Sequence, residues 1–426
     1  MNDDAHEDRC DVAVIGAGIA GLSAAIEAAR GGAVRLLDAR RDIGGRARTR
    51  HRSGYSLNEG AHALYVDGAA MAFLRELGRE PTGGVPDAGA GIGVDGELEG
   101  VFPVSAHSLL RTSLLEGDRL RMARLLAVLP RMRPGRFADR SVDTLIRERL
   151  GSGRAARLGH ALFRLGTYGN DPVRTSADAG LTQLQMSLRG GVLYLDGGWQ
   201  QMVDTLATAN RDRGVEIRPG SKVTSVRTEG SDHVVVHTGG ELRARRVIVA
   251  GSPALAAELL GAAVPDVRTW AEDARPAAVA SLDVGFPDPW SGLRPFALGI
   301  DTPTYLSVHA PVADLAPDGH TLVHVMRYLP NDEEPDRDRD RAECEALLER
   351  VRPGWRHAAD HVSFSPHLVA ATDQPSAARG GLVARPSVSV PGAPGRFVAG
   401  DWVGPTGTLV DASVASGRAA GRAAIV

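Results

Sequence analysis

The sequence is poor in cysteine, in lysine and in long apolar runs. Its two cysteines, Cys10 and Cys344, are too few for a disulfide framework or a cysteine metal site. No apolar run reaches the roughly 20 residues of a membrane span, and the acidic start MNDDAHEDRC lacks the apolar segment of a secretory signal. We therefore expect a protein of the reducing cytoplasm, without a transmembrane segment.

A strong charge of either sign is also lacking. The formal net charge is −3, so nothing favours a nucleic-acid partner. Hydrophobic residues make up 43% of the chain, which is enough to bury real cores. The 426 residues are too many for one ordinary domain and suit two interwoven domains.

What the sequence does contain is a glycine pattern in a specific context. Residues 12–15 form a short apolar run, as expected of a buried parallel strand. Gly16, Gly18 and Gly21 follow, and an alanine-rich helix is predicted from about residue 19 to 30. In a dinucleotide-binding turn these glycines allow, in order, the tight turn, the approach of a pyrophosphate and close helix packing. The helix N-terminus would offer unpaired N–H groups to the phosphates.

A second strand and an acid complete this unit. Residues 34–37 are predicted to form the strand, and Asp38 ends it, 22 residues after Gly16. That spacing is close to the one expected for an acid that binds a ribose hydroxyl. A carboxylate there also repels a 2′-phosphate, which disfavours NADP. The unit therefore predicts a cofactor of the NAD or FAD type.

The next residues resemble a known family. Arg40 and the run GGRART, residues 44–49, resemble the Arg-x-x-x-Gly-Gly-Arg-x-x-Thr turn of the flavin amine oxidase, protoporphyrinogen oxidase and phytoene desaturase superfamily. The nearest resemblance is to the phytoene-desaturase-like bacterial oxidoreductases. It implies that the cofactor is FAD.

The resemblance extends to the C-terminal end. Residues 397–424, FVAGDWVGPTGTLVDASVASGRAAGRAA, look like the superfamily's last flavin motif. There a helix of small residues points its N-terminus at the flavin ring, where it would stabilise an anionic reduced flavin. Matching Ser416 and Gly417 to the motif places Val410 and Asp411 at the helix entry. No cysteine stands near this motif, so we expect FAD to be bound non-covalently.

A middle segment of the chain has the same character. In the family, a residue at the Val223 position pairs its backbone with the adenine. Residues 234–237 and 241–245 are predicted to form a hairpin, and residues 247–250 a separate buried strand. The turn at Gly251 would then lie over the cofactor.

The implied fold class is α/β, a discontinuous Rossmann-like FAD-binding domain with an α+β substrate domain. We assign residues 9–66, 191–260 and 381–426 to the FAD-binding domain, and residues 67–190 and 261–380 to the substrate domain.

Residue patterns in the substrate domain predict its elements. Leucines at helical spacing predict that residues 107–165 are largely helical, and alternating residues predict several antiparallel strands in 275–327. The Gly- and Pro-rich residues 81–100 predict a loop and a hairpin.

The resemblance also implies which residues hold FAD. They lie in the two glycine turns, in the Glu-x-Gly turn at Gly60, in the middle segment and in the C-terminal motif. The expected cofactor-binding residues are Gly16, Gly18, Ile19, Ala20, Gly21, Asp38, Ala39, Arg40, Gly44, Gly45, Arg46, Gly60, Ala61, His62, Val223, Gly251, Gly400, Asp401, Leu409 and Val410.

The scarcity of lysine bears on the substrate. Amine oxidases of this superfamily use a lysine that holds a water against flavin N5. The single lysine here is Lys222, beside the expected adenine site, whereas the amine-oxidase position falls near residues 278–282, where alanine and serine stand. This favours desaturation of a C–C bond over amine oxidation.

Desaturation needs flavin N5 as the hydride acceptor and a group that takes a proton. Candidate polar residues are His62, Tyr168, Asn170, Tyr305, His309 and His324, of which His62 and Tyr168 are retained as catalytic candidates. For His309 and His324, on predicted strands, packing in the core or at the surface is the better interpretation. Trp199, at a helix start, is expected to pack, whereas Trp402 is expected to line the flavin ring.

The sequence thus predicts an FAD-dependent oxidoreductase that dehydrogenates an apolar or polycyclic small molecule and passes electrons to oxygen or another acceptor. Two alternatives stay open, an amine or amino-acid oxidase and a flavin-binding module without turnover. The oligomeric state is not predicted.

Overall fold

A computed structural model describes residues 8–87, 91–103, 106–115, 117–261 and 264–426 of the chain. The acidic start and small parts of the segments 81–100, 107–165 and 261–380 lie outside the described residues. The α-helices, numbered in chain order, are α1 (Ile19–Ala28), α2 (Ala69–Glu76), α3 (Ala106–Arg111), α4 (Arg119–Val128), α5 (Val142–Leu150), α6 (Arg154–Thr167), α7 (Ala177–Gly190), α8 (Gln200–Arg211), α9 (Pro253–Leu260), α10 (Pro265–Asp273), α11 (Arg337–Val351), α12 (Trp355–Ala358) and α13 (Leu409–Ala423).

The strands alternate with these helices and are numbered in the same way. They are β1 (Arg9–Ile15), β2 (Val34–Asp38), β3 (Arg50–Arg52), β4 (Tyr55–Leu57), β5 (Leu64–Tyr65), β6 (Gly83–Gly84), β7 (Ile92–Asp95), β8 (Leu98–Val101), β9 (Val192–Leu195), β10 (Glu216–Pro219), β11 (Val223–Glu229), β12 (Asp232–His237), β13 (Gly240–Ala250), β14 (Ala277–Phe286), β15 (Phe296–Gly299), β16 (Thr304–Ala310), β17 (Thr321–Leu329), β18 (His361–Ala371) and β19 (Arg396–Ala399).

The first large sheet contains the strands that lead into the glycine turns. Its order is β10-β2-β1-β13-β12-β11, and β19 pairs with β13. Strands β2, β1, β13 and β19 run parallel, so their carboxyl ends meet at one edge of the sheet. Gly16, Asp38, Gly251 and Gly400 stand at or just beyond these ends, which explains how residues far apart in sequence reach one place.

One expectation for this sheet is wrong. The residues predicted as the second half of a hairpin and as a separate buried strand are one strand, β13, without a break at Arg245 or Arg246. The prediction left a break between residues 245 and 247, but β13 continues because it is paired over its length, with β12 and then with β19 on one side and with β1 on the other. Helix α1 likewise ends at Ala28, two residues earlier than predicted.

The second large sheet has the order β18-β14-β17-β16-β15-β7-β8. One of its faces is apolar and packs against α11. Leu282 and Val325 of the sheet and Leu348 of the helix belong to this contact. The other face packs against the helical block and residues near Ala61. The predicted strands of 275–327, the hairpin within 81–100 and the helices of 107–165 are confirmed in the described residues.

The parallel strands of the first sheet come from the three segments assigned to an FAD-binding domain, and the second sheet comes from the two assigned to a substrate domain. The division into two domains stays a prediction. In the described part of the chain, no helix is both long and apolar enough to cross a membrane.

The first and last helices pack unusually closely. A Cβ atom at Gly417 of α13 would lie 2.2 Å from the carbonyl oxygen of Ala20 in α1, and one at Gly421 would lie 2.3 Å from that of Ala24. Both contacts are with backbone atoms, which cannot rotate away as a side chain can. The buried carboxylate of Glu27 adds an ion pair of 2.6 Å to Arg418 across the same contact.

We expect Gly417→Ala to destabilise the protein by about 1–3 kcal/mol, because the added methyl group forces the two helices apart. Thermal unfolding measures the effect. The control is Gly135→Ala, where a Cβ meets nothing within 4 Å. Equal melting temperatures for the two variants would contradict the close packing.

Candidate functional site

The three glycines of the first turn have two different roles, packing of the fold and space for a ligand. A Cβ at Gly16, which has a φ of +102°, would lie 2.3 Å from the carbonyl oxygen of Ala250. One at Gly21 would lie 1.8 Å from that of Gly16, so these two glycines are required by the fold itself. A Cβ at Gly18 meets nothing within 4 Å. The turn therefore leaves open space at the one glycine expected to face a pyrophosphate.

The second glycine turn lies directly on the first. The amide of Gly44 donates to the carbonyl of Ala17 at 2.8 Å, and a Cβ at Gly45 would be 3.4 Å from the Cα of Gly18. Gly44, with a φ of +112°, turns the chain under Val203 of α8. The two turns predicted from sequence to hold FAD thus form one continuous backbone surface.

The acid at the end of β2 orders the neighbouring backbone. Asp38 accepts hydrogen bonds from the amides of Ala17 at 2.6 Å and Arg40 at 2.8 Å. The backbone of residues 38–40 in turn accepts from the amides of Gly220 and Ser221. These contacts bring the start of β11, and with it Val223, to the expected ribose and adenine end, where Ala39 and Arg40 are exposed.

Arg46 joins the second turn to the C-terminal motif. Its guanidinium donates to Asp401 Oδ2 at 2.8 Å and to the carbonyl of Ala370 at 2.9 Å. Asp401 is buried and also accepts from the amide of Thr372 at 2.9 Å and from its hydroxyl. Burial raises the pKa of Asp401, but the charge of Arg46 and these hydrogen bonds outweigh burial and lower it. The pair is therefore ionised, and Arg46 still has 43% of its side chain exposed.

The strand end before α13 is fixed by a serine of that helix. Ser416 Oγ accepts from the amide of Gly400 at 3.0 Å and donates to its carbonyl at 2.8 Å. A Cβ at Gly400 would lie 2.7 Å from the carbonyl oxygen of Gly251, so the two turns touch. Helix α13 then starts at Leu409 and Val410, where its unpaired N–H groups lie.

The relative position of α1 and α13 sets the distance between their N-termini. Ala20 is level with Gly417, so the helices are parallel and α13 begins about 10 Å further out, at 1.5 Å per residue over seven residues. Two positive helix ends thus face the same side of the molecule at different depths. One fits the phosphates of a dinucleotide, and the other fits a group further along it.

Asp411, the acid at the start of α13, does not face this space as the motif suggested. Its Oδ1 accepts from the amide of Ala70 at 2.8 Å, at the N-terminus of α2. A Cβ at Gly68 would lie 2.4 Å from the same oxygen. Burial raises the pKa of Asp411 to about 6, and hydrogen bonds from Ala70 and Ala69 only partly offset this. Asp411 therefore anchors α2 to α13.

His62 follows the Glu-x-Gly turn that the sequence placed under the flavin. Its Nδ1 is 3.1 Å from the carbonyl of Gly60, and its ring meets that of Trp199 edge to face at 4.7 Å. Asn58 Oδ1 in the same turn accepts from the amide of Trp199 and from Thr49 Oγ1. Burial lowers the pKa of His62, so its imidazole is neutral at pH 7.

Tyrosines from five segments converge beside His62. They are Tyr65, Tyr168, Tyr194, Tyr305 and Tyr328, and each is close enough to at least one other to affect its ionisation. Tyr168 donates its hydroxyl to the carbonyl of Ala61 at 2.8 Å, which brings together the two catalytic candidates of the sequence. Tyr65, Tyr194 and Tyr328 were not predicted, because nothing local in sequence marks residues that meet only in the fold.

An internal cavity is indicated between these groups. Arg46 keeps 43% of its side chain exposed, and His62 and Tyr168 are half-buried. We infer that their exposed surfaces face one common space, which we call the cavity. Its walls carry the ionised Arg46 on one side and tyrosine and apolar side chains on the other.

The structure also gives the positions of Lys222, Trp402 and Asn170. Lys222 is exposed just before β11, and Ser281 of β14 donates to Asp283, so no lysine side chain reaches the cavity from β14. Trp402 is only 1% exposed, and its indole donates to the carbonyl of Gly251 at 2.8 Å. It packs in the core and does not line the ring, contrary to expectation. Asn170 donates to the carbonyl of Tyr328 at 3.2 Å and has a structural partner.

The residues present fit an FAD. Open space at Gly18, a partly exposed Arg46 fixed by Asp401, an ordered acid at Asp38 and two helix N-termini lie along the same edge of the parallel sheet. Phosphate groups match the first turn, and a ribose matches Asp38.

Comparison with known proteins identifies the class. The sequence model of the family described as "Flavin containing amine oxidoreductase" matches residues 19–425. The chain belongs to this family, and it is an FAD-dependent oxidoreductase. A search of curated protein sequences found no match.

Solved structures show the same fold at low identity. A variant of putrescine oxidase superposes with a TM-score of 0.77 at 18% identity, over 98% of this chain and 99% of that one. Cyclohexylamine oxidase from Brevibacterium oxydans IH-35A gives 0.70 at 18%, over 98% and 99%. A protein from Exiguobacterium sp. 255-15 assigned as a protoporphyrinogen oxidase gives 0.68 at 18%, over 96% and 97%. At this identity they establish the fold alone.

We expect Gly18→Val to abolish FAD retention without destabilising the apoprotein. Gly18 has an extended backbone, which valine adopts, and its Cβ would enter the space of the pyrophosphate only. FAD released by acid and the melting temperature of apoprotein are the two measurements. Gly21→Val is the contrasting variant and should lower the melting temperature, because its Cβ collides with Gly16. Retention of FAD by Gly18→Val would contradict the assignment.

Asp411 predicts a pH dependence of stability. Its pKa in the folded protein, about 6, is above the ordinary value of 3.8, so folding favours the protonated form. Relative to Asp411→Asn, the wild type should lose roughly 2–3 kcal/mol of unfolding free energy as the pH rises from 4 to 7. Denaturant titrations of both proteins across this range measure the difference. A wild type that gains stability relative to the variant over this range would show that the carboxylate is favourably buried.

Proposed function

We propose that this oxidoreductase dehydrogenates an uncharged apolar or polycyclic small molecule, with hydride passing to N5 of non-covalently bound FAD. The observation that carries the proposal is the uncharged wall of the cavity. Tyr168, Tyr305 and Tyr328 pack there with Met326 and Val279 in one apolar cluster. Flat aromatic faces and apolar side chains bind ring systems well and give no partner to a charge.

Two buried acids near this wall already accept hydrogen bonds. Asp283 accepts from His324 at 2.8 Å, and Asp411 Oδ1 accepts from Ala70. Both carboxyl groups are buried, although Asp411 Oδ2 has no partner among the described residues, so neither is presented to a substrate ammonium group. A protonated amine in this cavity would therefore lose its hydration without gaining an ion pair, which is costly.

The residues on the opposite side of the cavity have the role of holding and orienting the cofactor. Arg46 is fixed by Asp401 and presents its remaining N–H groups to the space along the sheet edge. The N-terminus of α13 favours negative charge in front of Leu409 and Val410. FAD supplies the two-electron redox chemistry when bound, so the protein needs few reactive side chains of its own.

Non-covalent binding is supported by the position of both cysteines. Cys10 lies within the core of the first sheet, and Cys344 is a buried residue of α11 that packs on the second sheet. Burial raises the pKa of the Cys10 thiol to about 12 and that of Cys344 further. Neither can form the reactive thiolate that attachment to a flavin requires.

A second candidate is an amine oxidase that takes its substrate as the neutral amine. The similarity in fold to putrescine oxidase and cyclohexylamine oxidase favours it. Lys222, the sequence's single lysine, is exposed at the far end of the expected site, which weighs against a lysine-assisted mechanism.

The two candidates are separated by anaerobic reduction of the bound flavin with matched compounds. Each pair consists of the same apolar ring system with and without an amino group. We expect bleaching of the flavin absorbance by the uncharged compounds at least about tenfold faster than by their amines at pH 7, because an ammonium lacks a partner.

Faster reduction by the amines would favour the second candidate. A flavin that neither series reduces would overturn the proposed function and favour a binding module without turnover. Readmission of air after reduction then tests oxygen as the electron acceptor.

A further inference from the structure

The cavity-facing side of the second sheet contains a row of polar side chains that the proposed function does not yet use. Counting along β14, β17 and β16, Asp283 is directly opposite His324, and His324 is directly opposite Ser307. Neighbours in register on adjacent strands have side chains on the same face. We call these three residues, with Ser281, Tyr305 and His309, the polar ladder.

Hydrogen bonds connect most of the ladder. His324 Nδ1 is 2.8 Å from Asp283 Oδ1, which also accepts from Ser281 at 2.9 Å. On the next strand, His309 Nε2 is 2.9 Å from Ser307 Oγ. The rings of His309 and His324 meet edge to face at 4.5 Å between centroids.

The ladder continues to the cavity through hydroxyl groups. Tyr305 and Ser307 are two residues apart on β16, so their side chains lie on the same face, and Ser307 and Tyr194 both affect the pKa of Tyr305. Tyr194 stacks on His309 at 3.7 Å, with the rings nearly parallel. Tyr305 packs in the apolar cluster that lines the cavity and is 6% exposed, whereas His309 and His324 are wholly buried.

Stability alone does not account for this arrangement. Each histidine has a nitrogen without a partner in the described structure, His309 Nδ1 and His324 Nε2. A buried polar atom without a partner costs about 1–3 kcal/mol. The opposite face of the same strands is filled by valine and leucine, so an apolar alternative was available. Unsatisfied buried groups beside a cavity are candidates for a functional role.

The ladder is also coupled to the flavin turn. His62, in the turn after Gly60, is close enough to His309 and His324 for each to affect the ionisation of another. Burial, and then the two neighbouring histidines, hold the pKa of His309 well below its ordinary value. His309 is therefore neutral in the resting protein, and its geometry leaves one ring nitrogen, Nδ1, without a partner, although burial disfavours a lasting charge on the ring.

We propose that the polar ladder accepts the proton that the substrate releases during dehydrogenation, with Tyr305 as the residue that touches the substrate. This inference rests on the proposed function, because that reaction separates a hydride from a proton. Asp283 and His324 act as positioning residues, since they act through His309 and Ser307.

The proton transfer is balanced as follows. The substrate C–H bond that does not supply the hydride breaks and leaves its electron pair in the new double bond. Its proton forms an O–H bond on Tyr305, whose own proton passes to Ser307 Oγ, and the proton of Ser307 passes to His309 Nε2. The positive charge then on His309 is transient, because burial disfavours it, and the acid of the polar ladder, Asp283, is hydrogen-bonded to His324 beside His309. Neutral tyrosine and serine are restored, and no further reactant is needed.

The kinetic test uses holoenzyme and the rate constant of anaerobic flavin reduction, measured against pH and in D₂O. We expect His309→Gln and Asp283→Asn to lower this rate constant about 10²- to 10³-fold, with the apparent substrate Kd changed less than about threefold. The solvent isotope effect and the pH dependence of the rate should be altered in both variants. His160→Gln is the matched control, because His160 belongs to another Asp–His pair, with Asp143 at 3.2 Å.

Two measurements test the ladder without turnover. Proton NMR of the resting holoenzyme should show a strongly downfield N–H signal from His324 bonded to Asp283, absent in Asp283→Asn and present in His160→Gln. Photoreduction of the flavin, which takes nothing from a substrate, should proceed at the wild-type rate in every variant. A variant that loses FAD or melts earlier is replaced by His309→Asn or by Tyr305→Phe.

The outcomes are distinguishable. Suppose that substrates reduce the wild-type flavin, but His309→Gln and Asp283→Asn leave the rate constant and the isotope effect unchanged. That result would overturn the proposed role of the polar ladder and leave the proposed function intact. Absence of the downfield signal from the wild type would also overturn the proposed role of the polar ladder. A wild-type flavin that no compound reduces would overturn the proposed function and this inference with it.

Discussion

The close contact between α1 and α13 is the constraint on which the rest of the site depends. The two helices can pack this closely only because Gly417 and Gly421 have no side chain where they meet Ala20 and Ala24. Their parallel alignment places one helix N-terminus behind the glycine turn and the other about 10 Å further along. Because Ser416 of α13 also fixes Gly400, the same contact places Asp401 where Arg46 reaches it. The contact between α1 and α13 thus brings both ends of a chain of 426 residues together at one dinucleotide site.

What could be predicted from sequence is what local backbone geometry dictates. Gly16, Gly44 and Gly45 have the positive φ of tight turns, and Gly18 stands at the open position beside them, since a tight turn and a close backbone approach restrict the residue type at a fixed spacing. The single strand β13 was predicted as two, because pairing with neighbouring strands decides where a strand stops and is not visible in the local sequence. Predictions failed where tertiary contacts override local composition.

The substrate side was less predictable for the same physical reason. Its tyrosines come from distant segments, and no spacing in the sequence relates Tyr65 to Tyr328. One signal was present, however. In the apolar run AAVASLDVGF, Ser281 and Asp283 alternate with residues that are buried under α11, and polar residues with a period of two also occur in TYLSVHA. A buried strand with one regularly polar face indicates a buried hydrogen-bond network more than it indicates a strand at the edge of a sheet.

Charge is divided between the two sides of the cavity, and this division is informative about the reaction. Arg46 and Asp401 remain ionised because each is the other's partner, and burial strengthens their attraction. On the other side burial shifts every affected group toward its neutral form: it raises the pKa of Tyr168, Tyr305 and Tyr328 and lowers that of His62 and His309. A cofactor with anionic phosphates is thus held by fixed charges, whereas a substrate meets walls that do not stabilise charge. In the proposed reaction a proton released into such surroundings is passed along the hydrogen-bonding groups, because burial disfavours a lasting charge on any of them, including His309. Asp283, hydrogen-bonded to His324, is the one acid of the polar ladder and lies where it can offset a passing positive charge.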